Sequence, residues 1–294
     1  MRIITTIFVA AGILSVEAQK LPNVQQVSVK APANIKIDGK ANDWGNKFEA
    51  SNSSTELLYT IANDDKKLYL VAQTTSPIVM NRIANGGIKL IIQKNGTKTD
   101  AGAPFVKFPF LQKGKRVSIG FVNVINVKNG SSGSVTRAPE PKNADEAERI
   151  TDSLARNNNK KLLREHKWIY TSGIAGVDTL LAVYNEKGIQ VANATDGKKA
   201  YTFELSFDLK LLGLKAEKAE KFAYHIVVNG EPNKDRSMAF GGFTFAGDPA
   251  FAAQGEATAR RMTEQMEARY ATTDFWGEYT LAKYYRRPEP AWFC

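Results

Sequence analysis

Hydrophobic and polar positions alternate with a period of two along a series of short stretches rich in β-branched and aromatic residues. These are VQQVSVK (24–30), ELLYTIA (56–62), KLYLVAQTT (67–75), GIKLIIQK (87–94), RVSIGFVNVI (116–125), TLLAVY (179–184), AYTFELSF (200–207), FAYHIVV (222–228) and GEYTLAK (277–283). Such alternation predicts strands that show one face to a core. Turn formers separate them: Asn63-Asp64-Asp65, Asn95-Gly96, Lys113-Gly114, Glu186-Lys187-Gly188 and Asn229-Gly230. Many short strands with frequent turns predict an antiparallel β-sandwich, and the strand–helix alternation of a parallel doubly wound sheet is missing.

Two segments break the pattern. In 143–167, Ala147, Ile150 and Leu154 recur at helical spacing in a heavily charged stretch after the turn APEP, which predicts an exposed helical insertion. In 248–270, Asp248 offers an N-cap, Pro249 stands at the first helical position, and Met262, Met266 and Tyr270 share a face that predicts packing against the sandwich. The run Asn129-Gly130-Ser131-Ser132-Gly133-Ser134 has the composition of a flexible linker. It separates no two convincing cores, so residues 19–294 are expected to form a single mostly β domain with two helical insertions.

The N-terminus changes the expected location. Arg2, an apolar run from Ile3 to Val16 and the small residue Ala18 read as a secretory signal over residues 1–18. The apolar run is short of the roughly 20 residues that span a bilayer, so a retained anchor is the lesser alternative. No later segment looks transmembrane. The single cysteine, Cys294, permits no disulfide framework and no lipid attachment behind the signal. A periplasmic or secreted protein is expected. The formal net charge of +10 survives removal of Arg2 and Glu17 and favours acidic partners such as anionic glycans or lipid headgroups. The basic clusters Lys113-Gly114-Lys115-Arg116, Lys160-Lys161, Arg260-Arg261 and Arg286-Arg287 are scattered and not interleaved with aromatics, which argues against nucleic acid.

Catalytic signatures are missing. Of the two histidines, His225 lies within FAYHIVV, where a hydrogen-bonded neutral imidazole is expected, and His166 lies in a charged stretch, where a solvated ring is expected. Neither belongs to an HExxH helix, a Cys/His zinc set or a GxSxG elbow, and no phosphate-binding glycine loop is present. The carboxylates in strand-like runs, Glu56, Glu204 and Glu278, give no paired acid and base by spacing. Met80 and Met238 with His225 are a weak set for haem, and core filling is the simpler account of the methionines. The reading is a protein that is not an enzyme.

Five blocks in order, IKIDGKANDWG (35–45), TIANDDKKLYLVAQT (60–74), AYTFELSFDLKLLGL (200–214), FAYHIVVNG (222–230) and TDFWGEYTLAK (273–283), resemble the family 9 carbohydrate-binding module, a DOMON-like β-sandwich. The likeness lies in the I-D-G…D-W opening, the D-D…L-Y-V hairpin and the Y…E…L…L-G strand and turn. It covers both ends of the mature chain and leaves roughly residues 76–199 and 231–272 unmatched. It implies a sandwich that binds sugars, in some members with structural calcium, often beside an enzyme domain. No enzyme domain accompanies these blocks, and no motif places a tryptophan pair for clamping a sugar.

A sugar's C–H face stacks on an aromatic ring while its hydroxyls exchange hydrogen bonds with Asn, Asp, Arg or Lys. Trp168, leaving the charged insertion in HKWIY, and Tyr170, its same-face strand neighbour, are the candidate rings. Asn229, Asn233, Asp235 and Arg236, in the loop NGEPNKDR, are the candidate polar partners. The plainer alternative makes Trp168 a core ring and the loop a solvated hairpin. Trp44 and Trp276 are expected to plug the sandwich core, and Trp292 stands in a Pro-rich terminus. Asp38, Asn42, Asp43, Asp64 and Asp65 offer the oxygen ligands of a structural calcium, but they could equally shape their own turns. The function expected is glycan binding without catalysis. The alternative is an envelope protein whose sandwich and insertions make protein–protein contacts and hold no sugar.

Overall fold

A computed structural model of the chain describes residues 20–121, 124–129, 132–137, 139–232, 260–261 and 263–283, with the backbone alone for 124–129 and 132–137. Strands β1 (Ala50–Asn52), β2 (Leu57–Asn63), β3 (Lys67–Thr74), β10 (Ile189–Thr195) and β11 (Tyr201–Asp208) form an antiparallel sheet in the order β1-β2-β3-β11-β10. Strands β4 (Ile88–Gln93), β5 (Phe105–Phe108), β8 (Trp168–Ser172), β9 (Leu180–Ala182), β12 (Lys221–Val228) and β13 (Thr273–Thr280) form a second, in the order β13-β12-β4-β5-β8-β9. A hairpin of β6 (Val124–Asn129) and β7 (Ser132–Arg137) forms a third sheet, and α1 (Pro77–Gly86) and α2 (Ala144–Glu165) are the two long helices with described bounds. The expected antiparallel β-sandwich is the observed fold.

One continuous core fills the space between the two large sheets, because the period of two sends alternate residues inward. Tyr59 and Ile61, Leu68 and Leu70, and Phe203, Leu205 and Phe207 enter from the first sheet; Leu90 and Ile92, Phe222, Tyr224 and Ile226, and Phe275 and Tyr279 enter from the second. Tyr59 and Tyr224 meet across the gap with their hydroxyls 2.9 Å apart, and the Gln25 amide donates to the Tyr59 hydroxyl. Two buried polar groups thus satisfy each other inside an apolar layer. Burial pushes both phenols above the ordinary tyrosine range.

The outer face of the five-stranded sheet is also covered. In β11 the residues between the inward rings point outward, and Glu204 among them is fully buried. Its carboxylate accepts from Gly39 N (2.7 Å) and Asp38 N (2.9 Å) at one oxygen and from Trp44 Nε1 (2.9 Å) at the other. The segment IKIDGKANDWG therefore lies across this face, where Trp44 packs edge-on against Tyr69 beside Ala62, Val71, Ile35 and Ile37. Gly39 has φ +81° and a Cβ there would sit 2.6 Å from the Asn193 carbonyl carbon, so no other residue fits. Desolvation raises the Glu204 pKa while the three donors pull it back down.

Several expected elements are corrected. VQQVSVK is not a strand: the Gln25 side chain bonds both Ile61 N and Ile61 O, standing in for a ladder, and Lys30 makes a single parallel bridge to Asn63. RVSIGFVNVI is irregular through Phe121, with Val117 and Ile119 buried, and strand begins only at Val124. The supposed linker instead pairs Asn129 with Ser132 and Lys128 with Gly133 in the β6–β7 hairpin. The last strand begins at Thr273 and ends at Thr280. Trp276 is not a core plug: Phe275, Gly277 and Tyr279 face inward and Trp276 faces out. Gly277 leaves the room that the Tyr224 ring occupies, 2.2 Å from where a Cβ would stand. Trp44 is buried, but in the cluster outside the sheet.

The insertion at 143–167 is helical as expected, with Asn143 capping Glu146 N, but it is not free of the core. Ala155, Asn158 and Leu162 form a buried stripe, while Ala147, Ile150 and Leu154 are half-buried. Asn158 brackets the Gly120 amide and carbonyl, and Asn159 brackets those of Thr195 on β10. His166, at the C-cap, is buried where a solvated ring was expected: Nε2 lies 2.9 Å from Ala84 O on α1, and Nδ1 faces the Asn193 amide. Residues 260–261 and 263–270 are helical; the start of the expected second insertion, 248–259, lies outside the described residues, as do the expected signal 1–18 and Trp292. Among the described residues no helix is long and apolar enough to cross a membrane.

Two outcomes follow. Glu204→Gln replaces one acceptor oxygen by a donor, leaving an N–H unanswered, and should lower the free energy of unfolding by about 1–3 kcal/mol; a denaturant midpoint equal to wild type would show that the carboxylate does not hold the cover. Burial depresses the His166 pKa below 6.5, so its contribution is complete above that value and is lost as the pH falls below it. Wild type should therefore lose stability between pH 7 and pH 5, and His166→Gln should flatten that fall; parallel pH profiles would refute it.

Candidate functional site

The outer face of the six-stranded sheet gathers rings and charged side chains. Register places its residues in two cross-strand rows: Trp276, His225, Ile91, Phe105 and Ser172 in one, and Asp274, Val227, Lys89, Lys107, Tyr170 and Leu180 in the next. Each row therefore mixes rings, aliphatics and charges drawn from strands far apart in sequence.

Tyr170 is the centre of one end. Phe110 N donates to Trp168 O (2.9 Å), pinning the chain after β5 so that the Phe110 ring stacks on Tyr170 with centroids 5.2 Å apart and planes at 23°. Phe105 flanks Tyr170 at 5.5 Å as a diagonal cross-strand neighbour. The Lys89 ammonium stands 5.3 Å from the Phe105 ring centroid, a cation–π contact. Burial, aided by Lys89, lowers the pKa of Lys107. All five side chains are half-buried.

The other end holds His225, stacked on Trp276 at 4.4 Å and 13°. Its Nδ1 lies 2.8 Å from Asp100 and its Nε2 3.0 Å from Asp274. The ring is hydrogen-bonded at both nitrogens, as its place in the sheet led one to expect. Asp100 comes from the β4–β5 loop, which also lays Ala103 against Ile91 and Val227. Beyond Trp276, a cleft of about 410 Å³ opens between residues 24–28 and β13, lined by Gln26, Lys98, Lys221 and Glu278.

Of the residues expected to bind a sugar, Trp168 and Tyr170 stand two apart on the outer face of β8, both half-buried. Asn229 lies at the same end of the sheet as Trp168, about 14 Å away across β4 and β5, and its side chain donates to Gly87 O (2.9 Å). Asn233, Asp235 and Arg236 lie outside the described residues. Sequence reasoning missed Phe105, Phe110, Lys89 and Lys107; only Phe105 and Lys107, two apart in FVKF, carried a local sign of a shared strand face.

The acidic side chains of the calcium expectation serve their own turns. Asp43 accepts from Lys36 N, Asp38 accepts from Lys40 N and pairs with Lys40, and Asp64 spends both oxygens on Lys66 N, Lys67 N and the Tyr69 hydroxyl. Asn42 donates nothing to these; its carbonyl accepts from Gly45 N in the turn, and Asp65 is exposed. Among the described residues no group of three or more His, Cys, Asp or Glu side chains is arranged to hold a metal ion. The strand carboxylates stay apart as well: Glu204 holds the cover of one sheet, Glu278 pairs with Lys221 on the outer face of the other, and Glu56 is exposed in a turn at φ +53°. Met80 is buried core on α1, and Met238 and Met262 lie outside the described residues.

No protein-family model matches the sequence, and no curated protein matches it significantly. Among solved structures the chain is similar to a family 9 carbohydrate-binding module from Caldicellulosiruptor kristjanssonii in complex with glucose and to one in complex with cellotriose. Identity is 10% and the TM-score 0.38 in both, covering 90% and 91% of this chain and 99% and 97% of the others. The likeness transfers no residue role to this chain.

If the acidic turns are self-satisfied, a chelator such as EDTA should leave the melting temperature unmoved and added calcium should not raise it, since an ion that binds only the folded state would stabilise it; a chelator-induced fall reversed by calcium would overturn this.

Proposed function

We propose that this protein is a non-enzymatic carbohydrate-binding module, working outside the cytoplasm, whose sugar platform is the outer face of the six-stranded sheet around Tyr170. The observation that supports it most is the near-parallel stack of Phe110 on Tyr170, flanked by Phe105, on a half-exposed sheet face that also carries lysines. Rings that already pack on one another lose little further freedom when a ligand arrives. An exposed aromatic ring suits the C–H face of a pyranose, and Lys89 and Lys107 supply donors to its oxygens. Trp168 extends the same face by two residues along β8.

A second reading, contact with another envelope protein, has its own support. Leu180 and Tyr184 are 42% and 85% exposed at or just beyond β9, the edge strand of the same sheet. An edge strand presents unpaired backbone groups to any incoming chain.

The two readings part under mutation. Tyr170→Ala should weaken binding to a polysaccharide selected from a glycan panel by tenfold or more, about 1.4 kcal/mol, while the protein stays folded by near-ultraviolet circular dichroism. Trp168→Ala should weaken it less, and Leu180→Lys should leave it intact. A wild-type protein that retains no glycan, or a Tyr170→Ala variant that binds like wild type, would sink the sugar reading.

A further inference from the structure

The cations on this face narrow the ligand. Lys89 and Lys107 are direct Cα partners across the β4–β5 ladder. Like charges placed opposite one another in an antiparallel pair destabilise it, so the arrangement has a cost that needs an answer. Lys89 has one, since its ammonium lies 3.8 Å from Asp100 and over the Phe105 ring. Lys107 has none: it is half-buried, next in its row to Tyr170, and no carboxylate pairs with it among the described residues. The other acids on this face are engaged, Asp274 with His225 and Glu278 with Lys221. Burial and the neighbouring ammonium both disfavour the charged form of Lys107, and pairing with an incoming anion would counter them.

We infer that the ligand of the Tyr170 platform is an anionic glycan, whose carboxylate or sulfate pairs with Lys107 while the sugar ring lies on Tyr170. This rests on the platform proposed above and adds the ligand's charge class to it. The cation that reads the anion is fixed in a row of the sheet, so the selectivity it confers differs from the general attraction of a +10 protein.

The test compares polymers that differ only in the charged group: polygalacturonate against its methyl ester, and dextran sulfate against dextran, titrated into the full chain at two salt concentrations. In at least one pair the charged member should bind wild type tenfold or more tightly, and the pair that discriminates tells carboxylate from sulfate. Lys107→Met keeps the apolar stem and should abolish the preference for the charged member of the pair. Lys160→Met, an exposed position on α2, should leave the preference intact. No discrimination in either pair, a preference that survives Lys107→Met in a folded variant, or an equal loss from Lys160→Met would overturn the inference. Tyr170→Ala should weaken charged and neutral polymers alike; if it changes neither, the platform itself fails, and that outcome is separate from failure of the lysine.

Discussion

A single buried carboxylate decides which side of this sandwich is free. Glu204 stands where the period of β11 turns outward, between Phe203 and Leu205 of the core. Left uncovered it would be an ordinary surface acid. Three N–H donors from Asp38, Gly39 and Trp44 close over it instead, and the N-terminal segment comes to rest on that face of the sheet. A carboxylate with two acceptor oxygens and no proton matches three donors in a way that a neutral amide cannot. The desolvation cost of the charge is offset by charge-assisted hydrogen bonds and by the burial of Trp44, Ile35 and Ile37 against Tyr69 and Val71.

The consequence is an asymmetric sandwich. The five-stranded sheet is buried on both faces along much of β3 and β11, where the burial pattern is nearly continuous. The six-stranded sheet keeps alternation on the β9 side of β4: β5 reads half-buried, buried, half-buried, buried, and β8 reads the same with an exposed last residue. A sheet with one covered face and one open face can place side chains outward without disturbing its core. Rings and charges on the open face are then positioned by register, a rigid and long-range constraint, while loops contribute Asp100 and Phe110 at its border.

This division explains what the sequence reveals. Strands β2, β3, β4, β11 and β12 are legible because alternation of large apolar residues is local, and the helix of 144–165 is legible from its charge and spacing. Four kinds of feature are not. Gln25 supplies side-chain hydrogen bonds in place of a strand ladder, so a run that alternates well does not pair. The helix α1 is only ten residues long, and its signals, Pro77 at the start and Gly87 at the end, lie among residues that also suit a turn. Gly277 hides the facing of β13, because a glycine beneath the Tyr224 ring does not look like a core position, and Trp276 beside it does. The platform is the hardest to see: Tyr170 was legible as an outward ring, but its partners Phe105 and Phe110 are about sixty residues away, joined to it only by the β5–β8 pairing.

The same register argument separates two lysines that look alike in sequence. Asp100, carried in by the β4–β5 loop, reaches both His225 in one row and Lys89 in the next, so a single acid serves two nitrogen groups at the middle of the face. Lys107, on the strand beyond Lys89, is left beside Tyr170 without a counter-charge among the described residues. On the proposed platform a ligand along the rings would meet carboxylates near His225 and an ammonium without one near Tyr170. Coulombic attraction is stronger at a half-buried ammonium than at a solvated one, because less water screens it. That contrast gives an anionic group a preferred end of the platform, which fixes the direction in which a chain would lie as well as its charge.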